Sequence, residues 1–450
     1  MELVMARKLI VLSFDSLQSG DVERLRHMPN CSALFEDAAI VRSIREIYPT
    51  LTYPIHTTLI TGVCPDAHGI PHNQLPSISP EDPDFSIMGS DWYWEKSNIR
   101  VPTLPDLLFE QGRNVATVLW PVTAGEKRGV NIPEIWPPKG YKGGVRELFS
   151  RVCSKNAFET YFDRYIGKYD WANNEDMVAY SVEIALDIVR RMKPDLLLCH
   201  ITHLDHTRHV NGVQGREIDN CLRQLDIIAG RFAEAAHDAG VFEDTNFVIL
   251  GDHGQIEVES MFSINTIFRD AGLIKTDSDG KVLSYDAYSF SAGFSAQIML
   301  KEPEDRHVSK KVEELLRLLP VHYPEYIESV YTAREIHAME GLSGDFSFVV
   351  EARTGVLLPS DITDHVEVSR ERAPYAGMHG HHPNKGEKPP FIAFGPDIQG
   401  GIDIDNGSML DIAPTLAMLL GVNLAQAQGR PFPISVNEPV YIGEKINHAI

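Results

Sequence analysis

The feature that most constrains this chain is a set of short runs that are apolar at nearly every position, separated by long stretches of helical period. Leu9–Phe14 reads LIVLSF, Asn114–Trp120 reads NVATVLW, Asp195–Ile201 reads DLLLCHI and Phe247–Leu250 reads FVIL. A strand with one wet face alternates apolar and polar residues. Runs without that alternation belong to strands covered on both sides. Between them the helical signals are clear. Asp21 is placed to cap a short helix through Met28. Thr103-Leu104-Pro105 opens a helix that Gly112 ends, and Asn174–Met192 forms a long helix that stops before Pro194. Arg216–Ala239 carries Ile218, Leu222, Leu225, Ala229, Phe232 and Ala236 on one stripe, with Gly240 as its stop. Strand and helix in alternation predict an α/β fold, a mostly parallel sheet with helices on both faces.

The pattern changes after residue 256. Strand-like Phe294–Leu300 and Phe346–Glu351 bracket the charged helix Asp305–Leu319, which reads as a smaller α+β insert over residues 256–377. Phe391–Phe394 and the helix Met409–Leu420 then resume the first pattern. The expected organisation is a catalytic core of residues 1–255 and 378–450 around one inserted cap subdomain. Ser77–Asp91 is the clearest long surface loop. The insert and the segment Gln74–Arg100 are expected to cover the site.

In a parallel sheet, ligands gather at the carboxyl ends of the strands. Four polar motifs fall there. Asp15 follows LIVLSF, Asp205 and His209 follow DLLLCHI, Asp252 and His253 follow FVILG, and His379 precedes FIAF within GMHGHHP. One aspartate after one strand is ordinarily a helix cap or turn former. Four such motifs in order, each at a strand end, bring three carboxylates and three imidazoles to one edge. Carboxylate and imidazole without thiolate suit Zn²⁺ or another first-row divalent cation, and six ligands suit two sites rather than one. A fifth motif, YPTLTYPIHTTLITGVCPDAHGIPHN at residues 48–73, points to the reaction. Pro54 suits the first turn of a helix that Gly62 stops, which puts Thr52 at the helix N-terminus. There the free N–H groups favour an alkoxide or a phosphoryl oxygen. A threonine hydroxyl is a poor nucleophile at its normal pKa, but coordination to a metal can deprotonate it; the plainer role of such a threonine is an N-cap.

With these residues in view, the chain resembles the alkaline phosphatase superfamily, and most closely its nucleotide pyrophosphatase/phosphodiesterase branch. The resemblance rests on the order LSFDS, PTLTYPIHTTLITGVCPDAHGI, DHTRH, GDHG, HGHHP and DIAPTLAMLLG. It implies an alkaline-phosphatase-like core and a site for two divalent metal ions, zinc by preference with manganese or iron as alternatives. Asp205, His209 and His379 would hold one metal. Asp15, Asp252 and His253 would hold the other, which also meets Thr52. Thr52 would form a covalent phospho-threonine intermediate, and Asn73 would donate to a non-bridging phosphoryl oxygen. Tyr53 matches an aromatic that packs on a nucleobase in the nucleotide-cleaving members. Two departures bear on substrate choice. His200 stands where those members carry a tyrosine, and Arg208 stands where their DxxGHxxGP motif has glycine. His200 and Trp92, the latter beside Tyr93 and Trp94, join Tyr53 as candidate substrate-binding residues.

The resemblance implies a hydrolase of phosphodiester or pyrophosphate bonds acting on a small phosphate ester, a nucleotide included. Cleavage of a C–P bond, as in phosphonoacetate hydrolases, and phosphomonoester hydrolysis are the alternatives. A sulfatase is disfavoured, because Cys64-Pro65-Asp66 does not supply CxPxR. A metal-stabilised binding protein without catalysis is disfavoured by Thr52 with all six ligands. The composition sets further bounds. Lys and Arg total 41 against 63 Asp and Glu, a formal net charge of −22, which excludes coating a nucleic-acid polymer or an anionic membrane. Two divalent cations reconcile that charge with an anionic substrate. Five cysteines without a metal spacing, an N-terminal apolar run too short for a signal sequence and no eighteen-residue apolar window predict a cytoplasmic protein. The oligomeric state is left open.

Overall fold

The computed structural model describes residues 8–76, 91–135, 144–168 and 173–436. Twelve strands set the architecture: β1 (Lys8–Phe14), β2 (Ala39–Arg45), β3 (Val115–Trp120), β4 (Val130–Pro133), β5 (Leu196–Ile201), β6 (Thr245–Leu250), β7 (Ala287–Ser291), β8 (Ser295–Leu300), β9 (Ile327–Thr332), β10 (Phe348–Ala352), β11 (Phe391–Phe394) and β12 (Asp403–Ser408). The principal helices are α1 (Ser19–Leu25), α2 (Thr52–Thr61), α3 (Leu104–Glu110), α4 (Asn174–Met192), α5 (His203–Asn211), α6 (Arg216–Asp238), α7 (Arg306–His322) and α8 (Met409–Leu420).

An eight-stranded sheet of order β12-β2-β11-β6-β1-β5-β3-β4 forms the centre. β1 pairs in parallel with β5 on one side and β6 on the other. The unbroken apolar runs follow from burial on both faces. Ile10, Leu12 and Phe14 of β1 point into a cluster with α4 and α6, while Leu9 and Val11 point into a second with α2, α3 and α8. The stripe predicted for α6 lies wholly within the first cluster. A fully buried leucine or isoleucine contributes about 1.5–3 kcal/mol, so this two-sided filling dominates the fold.

The direction of one strand places the site. β11 runs antiparallel to both of its neighbours, β2 and β6. Residues that precede it therefore lie at the edge where the parallel strands end. That is why His379, which comes before a strand, meets Asp15, Asp205 and Asp252, which come after strands.

The remaining strands form a second sheet, antiparallel throughout, of order β7-β8-β10-β9. Helix α7 packs on it, capped by Asp305, whose carboxylate accepts the His307 and Val308 N–H groups at 2.9 and 3.2 Å. The apolar cluster here draws its buried members only from Phe262 to Leu358.

Several local details differ from expectation. Asp21 is the third residue of α1 rather than its cap. Its carboxylate accepts the Gln18 N–H at 2.9 Å, and the helix ends at Leu25. β2 and β12 add strands that the apolar runs do not mark. Of the loop Ser77–Asp91, residues 77–90 lie outside the described residues. Its flanks pair as short antiparallel strands, Gln74–Leu75 with Asp91–Trp92. Among the described residues no helix is long and apolar enough to cross a membrane.

Candidate active site

Helix α2 is buried along its whole length, and its sequence TYPIHTTLIT explains how that is tolerated. Two of its buried hydroxyls bond back to the preceding turn, Thr57 to the Tyr53 carbonyl at 2.8 Å and Thr61 to the Thr57 carbonyl at 2.7 Å, and Thr58 donates to the Val63 carbonyl at 2.9 Å. Gly62 ends it at φ +72°, and a β-carbon there would stand 2.8 Å from Ala427 Cβ. The helix N-terminus reaches the carboxyl edge of the sheet. Leu51, not Thr52, is the N-cap. The Thr52 hydroxyl instead lies 3.1 Å from His253 Nε2. Asn73 Oδ1 accepts the Tyr53 N–H at 2.8 Å, which leaves the Asn73 amino group as its free donor end.

Two trios of ligand-type side chains converge here, with the candidate ligand atoms of each trio within 4.8 Å of one another. In the first, Asp205 and His209 share one face of α5, four residues apart, with His209 Nε2 3.2 Å from Asp205 Oδ2. His379 Nε2 is 3.8 Å from Asp205 Oδ1. In the second, His253 Nε2 is 3.4 Å from both Asp15 Oδ1 and Asp252 Oδ2. The rings of His253 and His379 stack at 3.9 Å, so the trios are neighbours.

The surroundings prepare these groups for cations. His209 Nδ1 donates to the Gly377 carbonyl at 2.8 Å and His379 Nδ1 to the Thr50 carbonyl at 2.9 Å. Each ring thereby turns its Nε2 towards Asp205, the arrangement that orients a metal-ligating imidazole, and the Asp205 carboxylate raises His209 against the effect of burial. Burial pushes His253 down to about 4 and His379 down to about 3, so both are neutral at pH 7. Burial also raises Asp15 and Asp252, and the charges of Asp205 and Asp252 raise Asp15 further. Asp15 Oδ1 and Asp252 Oδ2 are buried without a hydrogen bond. Uncompensated carboxylate oxygens beside neutral imidazoles are the donor set of a divalent cation site.

The chain matches the family model for type I phosphodiesterase / nucleotide pyrophosphatase over residues 9–381. It belongs to that family. The family is metal-dependent and lies in the alkaline phosphatase superfamily. The chain is 25% identical to venom phosphodiesterase 2 of Crotalus adamanteus over 256 residues, 56% of this chain and 27% of that protein. It thus spans only about a quarter of the venom protein's length. It is 21% identical to human ectonucleotide pyrophosphatase/phosphodiesterase family member 7 over 425 residues, 92% of this chain and 80% of that one. The fold matches that of murine ectonucleotide pyrophosphatase/phosphodiesterase 5, solved as an inactive variant in complex with AMP. The TM-score is 0.65 at 18% identity, covering 94% of this chain and 97% of that one.

The three candidate substrate-binding residues differ in exposure. His200 is fully buried. Its Nε2 is 3.1 Å from Asp15 Oδ2 and its Nδ1 is 3.3 Å from Glu134 Oε2, so it lies behind the second trio rather than at the mouth of the site. Burial opposes charge on this imidazole, but the two carboxylates outweigh it and raise the group. Tyr53 is also fully buried, and Trp92 packs over it with ring centroids 5.1 Å apart. Only Trp92, half-buried, keeps an exposed face. Other residues beside the trios carried no expectation. His56, one turn beyond Thr52, donates from Nδ1 to the Thr52 carbonyl at 2.8 Å, meets Ser13 Oγ at 2.9 Å and forms a third ligand-type group with His200 and Asp252. Its i+4 spacing from Thr52 is a readable signal. Glu134 and Gln255 have none.

Proposed function

We propose that this chain is a two-metal hydrolase of phosphodiester or pyrophosphate bonds that works through a covalent intermediate on Thr52. The observation that carries this reading is the Thr52 hydroxyl at the α2 N-terminus, turned away from capping and 3.1 Å from His253 Nε2 in the Asp15–Asp252–His253 trio. Asp15, Asp252 and His253 would hold one divalent cation beside Thr52, and Asp205, His209 and His379 the other. When bound, such a pair supplies positive charge to the attacking and leaving oxygens. Thr52 Oγ forms a bond to phosphorus as the P–O bond to the leaving group breaks. Water then cleaves the Thr52–phosphoryl ester. The Asn73 amino group donates to a non-bridging oxygen, and the α2 dipole favours the charge that gathers there.

A nucleotide-type substrate is supported by the AMP complex of the murine relative and by the half-buried Trp92 packed over Tyr53. A monoester would need further cations around its terminal oxygens. Arg208, the cation nearest in sequence to the ligands, is committed to Asp21 and Ser16 instead. The donor set favours zinc, with manganese and iron as alternatives.

The test is turnover of bis(p-nitrophenyl) phosphate and nucleoside p-nitrophenyl phosphates by wild type and Thr52→Ala. Wild type hydrolyses the diesters, while Thr52→Ala retains both metals and loses activity by roughly 10³-fold or more. Rapid monoester turnover with inert diesters would overturn the proposal, and so would undiminished turnover in Thr52→Ala.

A further inference from the structure

Arg208 lies on α5 between Asp205 and His209, ligand residues of the first trio, yet it serves neither. Its residue exposure is only 1%, and it is among the largest fully buried side chains. The guanidinium donates from Nη2 to both oxygens of the buried Asp21, at 3.0 and 2.8 Å. From Nη1 it donates to the carbonyl of Ser16, and from Nε to the Val213 carbonyl at 3.3 Å.

Ser16 is the decisive partner. It follows Asp15 directly and holds φ at +64°, a left-handed conformation that a serine adopts only at a cost. Its N–H donates to Asp252 Oδ1 at 2.9 Å. One side chain thus reaches from the helix of the first trio to the turn that orients both carboxylates of the second. Gln255 makes a parallel connection. Its amino group donates to the Asp205 carbonyl at 3.2 Å, and its own carbonyl accepts Gln18 Nε2 at 3.1 Å.

We propose that Arg208 is a positioning residue that sets the spacing of the two metal trios by clamping the Asp15–Ser16 turn to α5. The role needs a planar fork of donors facing several acceptors at once, which a lysine ammonium does not reproduce. It also accounts for an arginine where the resembling motif has glycine. The fork spans from α5 to the strand β1 exit, and a glycine would leave the buried Asp21 with only the Arg24 guanidinium, at 3.4 Å, as its cation. The inference rests on the two-metal reading above for its metals, but not on the identity of the substrate.

Two variants test it. Arg208→Lys keeps the charge opposite Asp21 but loses the fork. Arg208→Met with Asp21→Asn removes both charges together, so that no buried charge is stranded, and keeps an acceptor for the Gln18 N–H. The apo forms of each are titrated with Zn²⁺ and with Mn²⁺ by calorimetry, beside steady-state kinetics on bis(p-nitrophenyl) phosphate. Expected are folded proteins in which one metal binds about 10–100-fold more weakly and kcat falls in the same range with KM little changed. Folded variants with both metals at wild-type affinity and full kcat would overturn the proposal. Failure of both variants to fold would overturn it too, leaving Arg208 a purely structural support. If wild type cleaves no diester at all, the titrations still decide the matter.

Discussion

A threonine at the start of a helix is ordinarily a cap, and Thr52 is distinguished only by what its hydroxyl faces. The same holds for Asn73, whose Oδ1 is taken by the Tyr53 N–H at 2.8 Å. Asn73→Ala removes the amino donor and strands that N–H, so kcat for a diester should fall by about 10²–10³-fold with little change in metal content. Steady-state kinetics beside metal analysis checks this, and an unchanged kcat would deny Asn73 its role. The six ligand-type residues were legible because each sits at the end of a readable strand run or beside one. The burial of His200 can be read from its strand. Cys199 and Ile201 point to the α4–α6 side of the sheet, while Leu198 points to the α2 side, and alternation sends His200 there too. It meets His56, with ring centroids 4.3 Å apart, and not solvent. Glu134 and Gln255 left no local trace, since their partners lie many residues away in the chain. A pH effect also belongs to single residues. His68 is fully buried and accepts the Ile70 N–H at Nδ1 at 3.1 Å, so it is neutral when folded. Burial pushes it down to about 3. The unfolded chain binds that proton near pH 6.5 and the folded one does not, so stability falls as pH drops between these values, by up to about 1.4 kcal/mol per pH unit. His68→Asn keeps the acceptor and should flatten this part of the acid limb. Denaturant unfolding at pH 7 and pH 5 compares the two, and identical slopes would refute the assignment.

At the scale of elements, the central strands and long helices were readable because burial on both faces leaves an unmistakable apolar run. α4 occupies Asn174–Met192 and β11 occupies Phe391–Phe394, as their sequences suggest. β12, with the sequence DIDNGS, was not readable. It is an edge strand with no buried residue, and its pairing with β2 supplies an order that its side chains do not announce. The direction of β11 was equally hidden, since an apolar run carries no polarity. What finally seats His379 is a close approach between two loops. Gly293, at φ +92°, and Gly380, at φ +82°, lie where the β7–β8 turn meets the His379 segment. A β-carbon on Gly380 would fall 1.5 Å from the Ala292 carbonyl oxygen. Ser295 Oγ also donates to the Gly380 carbonyl at 2.6 Å, and the Phe294 N–H to the His379 carbonyl at 3.2 Å. Gly380→Ala combines a strained backbone with a backbone clash and has to displace His379. The expected result is metal stoichiometry falling from two per chain towards one, with Asp15, Asp252 and His253 keeping theirs. Two tightly held metals in the variant would show that the contact is not needed.

Over the whole molecule, cations would reconcile the net charge of −22 with the anionic substrate proposed above. Asp15, Asp205 and Asp252 converge from three separate strand ends, and burial and mutual repulsion raise Asp15. The two-sided core does not depend on metal, so a chelator should leave the sheet standing and act at its carboxyl edge. Each bound cation present at about 1,000 times its dissociation constant adds about 4 kcal/mol to stability. Chelation should therefore abolish turnover and also lower the thermal midpoint, with both restored by Zn²⁺. The pH dependence of the gap follows from the carboxylates. Burial raises Asp15 and Asp252 above their unfolded values, so the metal-free fold binds protons more tightly than the unfolded chain. As pH falls, protonation relieves the repulsion in the metal-free form, while the metal-loaded form loses its ligands to protons. The difference in midpoint between the two forms should accordingly narrow from pH 8 to pH 5. Scanning calorimetry with and without chelator measures that gap, and a gap that stayed constant or widened on acidification would mean that these carboxylates do not carry the metal-linked stability.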